Sequence, residues 1–233
     1  MENYRSLWLI PARGGSKGIP DKNLKPFCGE SLVSRAVKQA LECAQNIDTV
    51  FVSTDSDDIA AEASKVGCEI PFMRPAEFST DSASTYSVIL HALTTFRQSG
   101  LEFDRVILLQ PTSPFRSIQD IKGAVSLWNP EIDMVVSVCK SEANPYYNLF
   151  ETDAQGFLKI SKGEGNFTRR QDAPTVWEYN GAVYVMSVSS LLKGPLSSFT
   201  KIVPYEMPRS RSMDLDTPED WAIAEMIFIR SNL

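Results

Sequence analysis

Along the first 140 residues, short apolar runs alternate regularly with segments in which apolar residues recur at helical spacing. The apolar runs lie at residues 7–10, 50–52, 106–109 and 134–138, and the helical patterns begin at Ser31, Asp57, Ser84 and Ile118. A short continuous apolar run is typical of a strand buried on both faces, and strands separated by helices build a parallel sheet. We therefore predict an α/β fold with a sheet covered on both faces.

The rest of the chain is patterned differently. Residues 141–180 have little helical period and many glycine, proline and aromatic residues, which predicts short antiparallel strands or an arm before the sheet resumes at residues 182–186. Thr217 and Pro218 then predict the start of a last helix, with a hydroxyl N-cap, proline in the first turn and acids at the positive end of the dipole. We expect one domain over residues 1–233, with an inserted arm at about 140–180.

Composition excludes several classes of protein. The chain has a formal net charge of −6 and a pI near 5.0, so it lacks the basic surface that nucleic-acid binding requires. The apolar run at residues 7–10 is too short for a signal-peptide core or a membrane span. One histidine, His91, argues against most zinc sites and against a Ser-His-Asp triad. We expect a cytoplasmic protein that binds neither nucleic acid nor membranes.

The loop that follows the first apolar run, at residues 11–25, is rich in glycine and positive charge. Residues 1–27 carry five Lys and Arg against two Asp and Glu. Glycines let main-chain amides approach a ligand closely, and cations neutralise phosphate charge; the residues concerned are Gly14, Gly15 and Gly18 with Arg13, Lys17 and Lys22. The loop matches neither the Walker A nor the GxGxxG pattern. Its position after a buried strand favours a phosphate site over the alternative of a flexible, solvated turn.

A pair of acids near the end of the chain is the second candidate site. Alternate residues of an extended segment point to the same side, so Asp214 and Asp216 can face one point. Magnesium is typically held by one or two carboxylates together with substrate phosphates. A pair of solvated surface acids is the alternative, but a phosphate loop elsewhere in the chain favours a metal site.

These segments together resemble the acylneuraminate cytidylyltransferases, the CMP-sialic acid synthetases. The matching blocks occur in the family's order between residues 7 and 221 and read IPARGGSKG with KNL, STD, RP, LLQPTSP, NGA and DLD. The resemblance implies a Rossmann-like, three-layer nucleotidyltransferase fold with a mainly parallel sheet. It also implies a homodimer in which the arm at 140–175 reaches the partner.

The resemblance further implies a reaction and a set of site residues. CTP and Mg²⁺ would activate a nine-carbon 2-keto sugar acid, giving the CMP-sugar and pyrophosphate. Lys22, Asp214 and Asp216 would be catalytic, with both aspartates holding the metal. Nucleotide binding would fall to Arg13, Gly14, Lys17, Lys22, Asn23 and Arg74 with Ser84 or Thr85. The sugar acid would be bound by Gln110, Arg170 and Asn180.

The sugar itself is left open by the sequence. Residues 144–148, Asn-Pro-Tyr-Tyr-Asn, are aromatic where bacterial sialic acid synthetases carry a lysine. This segment and residues 165–172 resemble the branch that acts on legionaminic acid, so N-acetylneuraminate, legionaminate and KDN are all candidates. The alternative functions are a 3-deoxy-manno-octulosonate cytidylyltransferase, a metal-dependent glycosyltransferase that uses the acid pair, and a nucleotide-binding protein without catalysis.

Overall fold

The computed structural model describes residues 4–80 and 82–231. The strands of this part of the chain are β1 Ser6–Pro11, β2 Pro26–Phe27, β3 Glu30–Ser31, β4 Thr49–Ser53, β5 Arg105–Leu109, β6 Met134–Lys140, β7 Phe150–Thr152, β8 Leu158–Ile160, β9 Trp177–Ser187 and β10 Ile202–Glu206. The helices are α1 Leu32–Cys43, α2 Asp57–Lys65, α3 Thr85–Gln98, α4 Ile118–Leu127, α5 Val188–Leu191 and α6 Pro218–Ser231.

The central sheet has six strands in the order β10-β6-β9-β5-β1-β4. Strand β1 pairs in parallel with β4 and β5, and β10 pairs in parallel with β6. Strand β9 is antiparallel to both of its neighbours, β5 and β6. The predicted α/β fold with a mainly parallel sheet is therefore confirmed, with one antiparallel strand at its centre.

Helices cover both faces of the sheet and give the fold its three layers. Alternate residues of β1 point to opposite faces: Trp8 and Ile10 pack in one core cluster with α1, α2 and α4, whereas Leu7 and Leu9 pack in the other with α3 and α5. These four side chains of β1 are almost fully buried. Burial on both faces explains why the strand has no polar alternation.

Three elements differ from the expectation or were not foreseen. The sheet resumes at Trp177, five residues before the predicted position, so Asn180 lies inside β9. The edge strand β10 has a proline and a tyrosine in place of a continuous apolar run. Strands β2 and β3 form a hairpin whose two turn residues, Cys28 and Gly29, both have positive φ angles of 51° and 89°, as tight hairpin turns of the I′ type require.

The segment predicted as an arm contains the hairpin of β7 and β8. Its apolar side chains face solvent: Phe157 is 71% and Leu158 is 72% exposed. Among the described residues, no helix is both long and apolar enough to cross a lipid bilayer.

The last helix begins where the sequence predicts. The Thr217 hydroxyl accepts a hydrogen bond from the Asp220 main-chain N–H (3.1 Å), and the Asp220 carboxylate accepts one from the Thr217 N–H (2.8 Å). This reciprocal pair is a capping box, which satisfies two amides at the start of a helix. It fixes the point where the Asp214–Asp216 segment enters α6.

Candidate functional site

A cleft of about 470 Å³ opens at the carboxyl ends of β1 and β5, the edge at which open α/β sheets bind ligands. Its lining combines the basic loop, the segment after β5 and one member of the acid pair, Asp216: Pro11, Arg13, Ser16, Lys17, Gly18, Lys22, Asn23, Gln110, Pro111, Thr112 and Asp216. The structure thus brings the two strongest sequence candidates, the glycine-rich loop and the acid pair, to one cleft although they are about 200 residues apart in the chain.

A small apolar cluster explains why these distant segments meet. Ile19 from the basic loop and Leu215, which lies between the two acids, are both buried in a cluster with the β2–β3 hairpin and α6. The remaining members of the cluster are Phe27, Leu32, Trp221 and Ala224. Burying Leu215 holds the acid pair against the loop, because its two carboxylate neighbours cannot leave without exposing it.

Gly18 permits the closest contact between the loop and the acid pair. A Cβ atom at this position would overlap the main-chain carbonyl oxygen of Asp216, well inside the closest approach that Cβ atoms make in proteins. The third glycine of the loop is therefore required by packing between two chain segments.

Lys22 completes this junction. Its ammonium group donates hydrogen bonds to the main-chain oxygen of Leu215 (2.6 Å) and to Oδ1 of Asp216 (3.0 Å), and its side chain is only 13% exposed. A lysine held in this way presents its charge at a fixed point in the cleft.

The two acids differ in environment. Asp216 is exposed, whereas Asp214 is half-buried. Burial raises the pKa of Asp214, and the nearby charge of Asp216 raises it further; hydrogen bonds from Thr112 and from the Leu215 N–H and the charge of Lys22 oppose that rise. The pair is a place where a cation would relieve both desolvation and repulsion.

The donor set at the acid pair fits Mg²⁺ that is also bound by substrate. Among the residues that the structure describes, no group of three or more His, Cys, Asp and Glu side chains converges as a metal cage. Mg²⁺ is commonly bound by one or two carboxylates, while phosphate oxygens and water occupy its remaining coordination positions.

Asn23 and Gly14 fix the shape of the basic loop. The Asn23 side chain is buried and donates a hydrogen bond to the main-chain oxygen of Arg13 (3.0 Å). The Gly14 N–H donates to Oδ1 of Asp55 (2.9 Å), and Nη1 of Arg13 lies 3.4 Å from the Ser79 carbonyl. The loop is therefore tied to the segment that follows β4 and is braced internally by Asn23, and Arg13 and Lys17 line the cleft.

Arg74 is the strongest candidate ligand group beside this loop. It is 5% exposed, and Nη2 lies 3.8 Å from Oδ1 of Asp55. Within the described residues, its Nε and Nη2 atoms have no hydrogen-bond partner. Burial lowers the pKa of this guanidinium, and buried donors without partners are costly unless a ligand or water satisfies them.

Ser84 and Thr85 lie at the start of α3. Ser84 is the N-cap, and its hydroxyl accepts a hydrogen bond from the Ser87 N–H (3.1 Å). Both side chains are exposed, so they are accessible to a ligand.

The three residues expected to bind the sugar acid have different surroundings. Gln110 lines the cleft. Asn180 is buried, and its amide bonds to the hydroxyls of Ser137 (2.6 Å) and Ser212 (2.9 Å), so it connects strands of the scaffold. Arg170 is exposed in a short 3-10 turn of the arm, apart from the cleft lining. Their roles in sugar binding stay predictions.

Sequence reasoning assigned no site role to two residues that lie near Gln110 and the acid pair, Gly181 and Arg116. Gly181 has a φ of 72°, and a Cβ there would lie 3.6 Å from Oδ2 of Asp214 and 3.7 Å from Oγ of Ser113. Arg116 is buried beneath the same region. The Asn-Gly dipeptide at 180–181 and the arginine after the LLQPTSP block were the available signals.

Taken together, a Rossmann-like sheet, a basic glycine-rich loop after its first strand and an acid pair at the same edge define a nucleotide-binding α/β transferase. Residues 7–184 match the model of the cytidylyltransferase family. The chain belongs to this family.

Individual relatives refine the comparison. The chain is 31% identical over 224 residues to the CMP-N,N′-diacetyllegionaminic acid synthase of Legionella pneumophila, covering 96% of each chain. It is also 31% identical over 220 residues to an N-acylneuraminate cytidylyltransferase of Streptococcus agalactiae, covering 93% of this chain but 52% of that protein. The solved structure of a CMP-2-keto-3-deoxy-manno-octonic acid synthetase with CTP has the same fold, with a TM-score of 0.72 at 16% identity, over 97% of this chain and 99% of that chain.

Proposed function

We propose that this chain transfers CMP from CTP to the 2-hydroxyl of a nine-carbon 2-keto sugar acid and releases pyrophosphate. The observation that carries the proposal is the single cleft in which Lys22 and the glycine-rich loop meet the Asp214–Asp216 segment. We infer CTP as the nucleotide from membership of the cytidylyltransferase family. We infer a nine-carbon sugar acid as the acceptor of CMP from the names of the relatives.

The reaction joins two anions, which explains the concentration of cations in the cleft. The sugar hydroxyl attacks the α-phosphorus and gives up its proton to water, a new P–O bond forms to the sugar oxygen, and the bond to the bridging oxygen of the β-phosphate breaks. Arg13, Lys17 and Lys22 hold the triphosphate and offset the negative charge that grows on the leaving pyrophosphate. Such catalysis is mainly positioning and electrostatic stabilisation.

Mg²⁺ is part of the proposal. Asp214 and Asp216 would hold the ion, and it would neutralise charge on the phosphates when bound. Asn23 and Gly14 keep the basic loop in a fixed position relative to the acid pair, since their contacts fix the main chain at Arg13 and Gly14.

We assign the cytidine and the sugar acid to opposite sides of the basic loop. Arg74, whose Nε and Nη2 have no hydrogen-bond partner among the described residues, would bind the cytidine together with Ser84 or Thr85. Gln110 would contact the sugar acid, with Arg170 and Asn180 as the further predicted contacts. Among the candidate sugars we favour the legionaminic acid type, because the match to the Legionella synthase extends over nearly the whole of both chains.

We also propose that the chain is one domain that works as a homodimer in the cytoplasm. Exposed Leu149, Phe150, Phe157 and Leu158 on the arm give an apolar surface that a second copy would cover. The four cysteines are all unpaired, which suits a reducing compartment.

The test is pyrophosphate release with CTP, Mg²⁺ and a panel of N-acetylneuraminate, KDN, legionaminate and 3-deoxy-manno-octulosonate. We expect release with a nine-carbon acid, dependence on CTP over ATP or UTP, and loss of activity with EDTA. Activity with the eight-carbon acid alone would replace the proposed acceptor. Silence across the panel, with CTP still bound, would overturn the proposed reaction.

A further inference from the structure

Arg116 is a buried cation that has no carboxylate partner among the described residues. It follows β5, two residues before α4, and is 2% exposed. Burial lowers its pKa to about 9, and the charged or titratable neighbours that shift it, Cys43 and Arg35, are not carboxylates. Coulomb attraction to an acid therefore does not explain why the fold keeps a guanidinium here.

The hydrogen bonds of Arg116 go to neutral oxygens on three separate segments. Nη1 donates to the main-chain oxygens of Gln110 (2.6 Å) and Ala182 (2.9 Å). Nε donates to Oε1 of Gln39 on α1 (2.9 Å), and the Gln39 amide donates to the Arg116 main-chain oxygen (2.8 Å). The planar, forked guanidinium suits several acceptors at once.

The two main-chain acceptors of Nη1 lie where the pairing of β5 and β9 ends. The last pair of that ladder is Leu109 with Val183, and the residues next to this pair are Gln110 on the β5 side and Ala182 on the β9 side. Beyond this point the two segments no longer pair with each other, so the hydrogen bonds of Nη1 connect them in place of ladder hydrogen bonds. Arg116 therefore holds the two segments together where they diverge beside the site.

The clamped residues lie next to the cleft and the acid pair. Gln110 lines the cleft, and a Cβ at Gly181 would lie 3.9 Å from Nε2 of Gln110 and 3.6 Å from Oδ2 of Asp214. Movement of the segment at Gln110 or of the turn at 180–182 would therefore change the distance between them and their distance from the acid pair. The basic loop has its own ties through Lys22 and Asn23, which do not involve Arg116.

We propose that Arg116 is a positioning residue that holds Gln110 and the 180–182 turn in the geometry that binds the acceptor sugar acid. The inference rests on the proposed function. Arg116 acts through the main chain and does not touch the substrate. Loss of the clamp weakens acceptor binding and leaves nucleotide binding nearly unchanged.

The central variant is Arg116→Lys, which keeps the positive charge but cannot reach all three segments. We expect the KM for the sugar acid to rise about tenfold or more, since small displacements in a site are costly, while the KM for CTP changes less than about twofold. Gln39→Met removes both hydrogen bonds between Gln39 and Arg116 but leaves those of Nη1, so it should raise the same KM by a smaller factor. Equal rises in both KM values, or an unchanged sugar KM in both variants, would overturn the proposal.

Arg211→Lys is the matched control. Arg211 pairs through Nε and Nη2 with the buried carboxylate of Asp120 at 2.8 and 2.9 Å, so its loss should lower the Tm without separating the two KM values. If this control raises the sugar KM as much as Arg116→Lys does, the effect is general destabilisation and the proposal is wrong.

Hydrogen exchange separates failure of the clamp from failure of the proposed function. In Arg116→Lys, amides at 110–113 and 180–183 should exchange faster than in the wild type, while those at 13–25 keep their protection. An inactive wild type would count against the reaction only, whereas unchanged exchange at 110–113 and 180–183 would count against the clamp. Should Arg116→Lys fail to fold, the same exchange comparison on Gln39→Met decides the question.

Discussion

The basic loop at residues 11–25 and the arm at residues 141–176 are both non-helical insertions between elements of the sheet, yet they are fixed in different ways. The loop is held by contacts to distant segments: Gly18 packs on the Asp216 carbonyl, and Lys22 binds Leu215 and Asp216. The arm is held by local contacts, chiefly around Asn144, whose main-chain oxygen accepts hydrogen bonds from three N–H groups within five residues.

The difference separates two kinds of surface. The loop is polar and packed against distant segments, which suits the anionic ligand that we propose for it. The arm is ordered locally but leaves large apolar side chains in solvent, which suits the second copy that we propose as its partner. We therefore expect substitutions in the loop to change chemistry without changing assembly, and substitutions in the arm to do the reverse.

Removing Asp216 tests the loop half of this comparison most severely. In Asp216→Ala, the partner of Lys22 and one proposed metal ligand are lost together, so turnover should fall by roughly 10²–10³-fold, the scale of losing one preorganised electrostatic group. Because Asp216 is exposed, the Tm should stay close to that of the wild type. Steady-state rates and thermal melting measure the two effects; Glu219→Ala, an exposed acid three residues along, is the control. Wild-type turnover in Asp216→Ala would remove Asp216 from the site.

Gly18→Ala tests whether packing between the loop and the acid pair is required. The new methyl group would overlap the Asp216 carbonyl oxygen, so the segments must separate; we expect activity to fall by about 10²-fold, as for other displacements of catalytic groups. Gly14→Ala is the matched control in the same loop, because a Cβ there meets its nearest atom at 3.4 Å. Equal rates in the two variants would mean that the loop adapts and that close packing is not needed.

The same contrast explains how much of the fold the sequence could predict. Strands buried on both faces, such as β1 and β5, read as apolar runs because sheet pairing and burial demand the same residues. The edge strand β10 escapes this pattern, since Pro204 and Glu206 are tolerated where one side faces solvent. The start of β9 escapes it too, because residues 177–179 are exposed.

The candidate site was predictable to the extent that its residue types carry chemistry. Cations with glycines directly after a buried strand favour a phosphate site, and two alternate acids in the same chain then favour a metal site. The contacts that bring them together depend on Ile19 and Leu215, which as sequence look like ordinary apolar residues. Arg116 was missed for a related reason: both partners of its Nη1 are main-chain oxygens, which cannot be recognised from residue type.

Two exposed residues of the arm provide the reverse test. In the double variant Phe157→Ser, Leu158→Ser, we expect the Kd of the proposed homodimer to rise by about tenfold or more, because two apolar contacts are lost from a surface that a partner would bury. Sedimentation equilibrium measures the Kd, and Lys159→Ser provides a polar control from the same hairpin. A wild-type chain that is monomeric throughout, or a double variant that associates as tightly, would contradict the assignment of the arm.

Asp133, beside the strand from which the arm departs, offers a smaller test of whether arm and sheet unfold together. Its carboxylate accepts hydrogen bonds from the Ser190 hydroxyl (2.6 Å) and from the N–H groups of Thr200 (3.0 Å) and Lys201 (2.8 Å), which lower its pKa from 3.8 to about 2.

As the pH falls from about 4 to 2, the unfolded chain takes up the proton of Asp133 before the native chain does, so this group's contribution to the free energy of unfolding is lost over that window. Asp133→Asn should flatten the dependence there, measured by urea unfolding at each pH. If the sheet and the arm form one cooperative unit, hydrogen exchange of the arm amides at 147–149 and of the β9 amides at 183–186 should respond together in the variant. Separate responses would show that the arm, ordered by its own local contacts, unfolds independently of the sheet that carries the cleft.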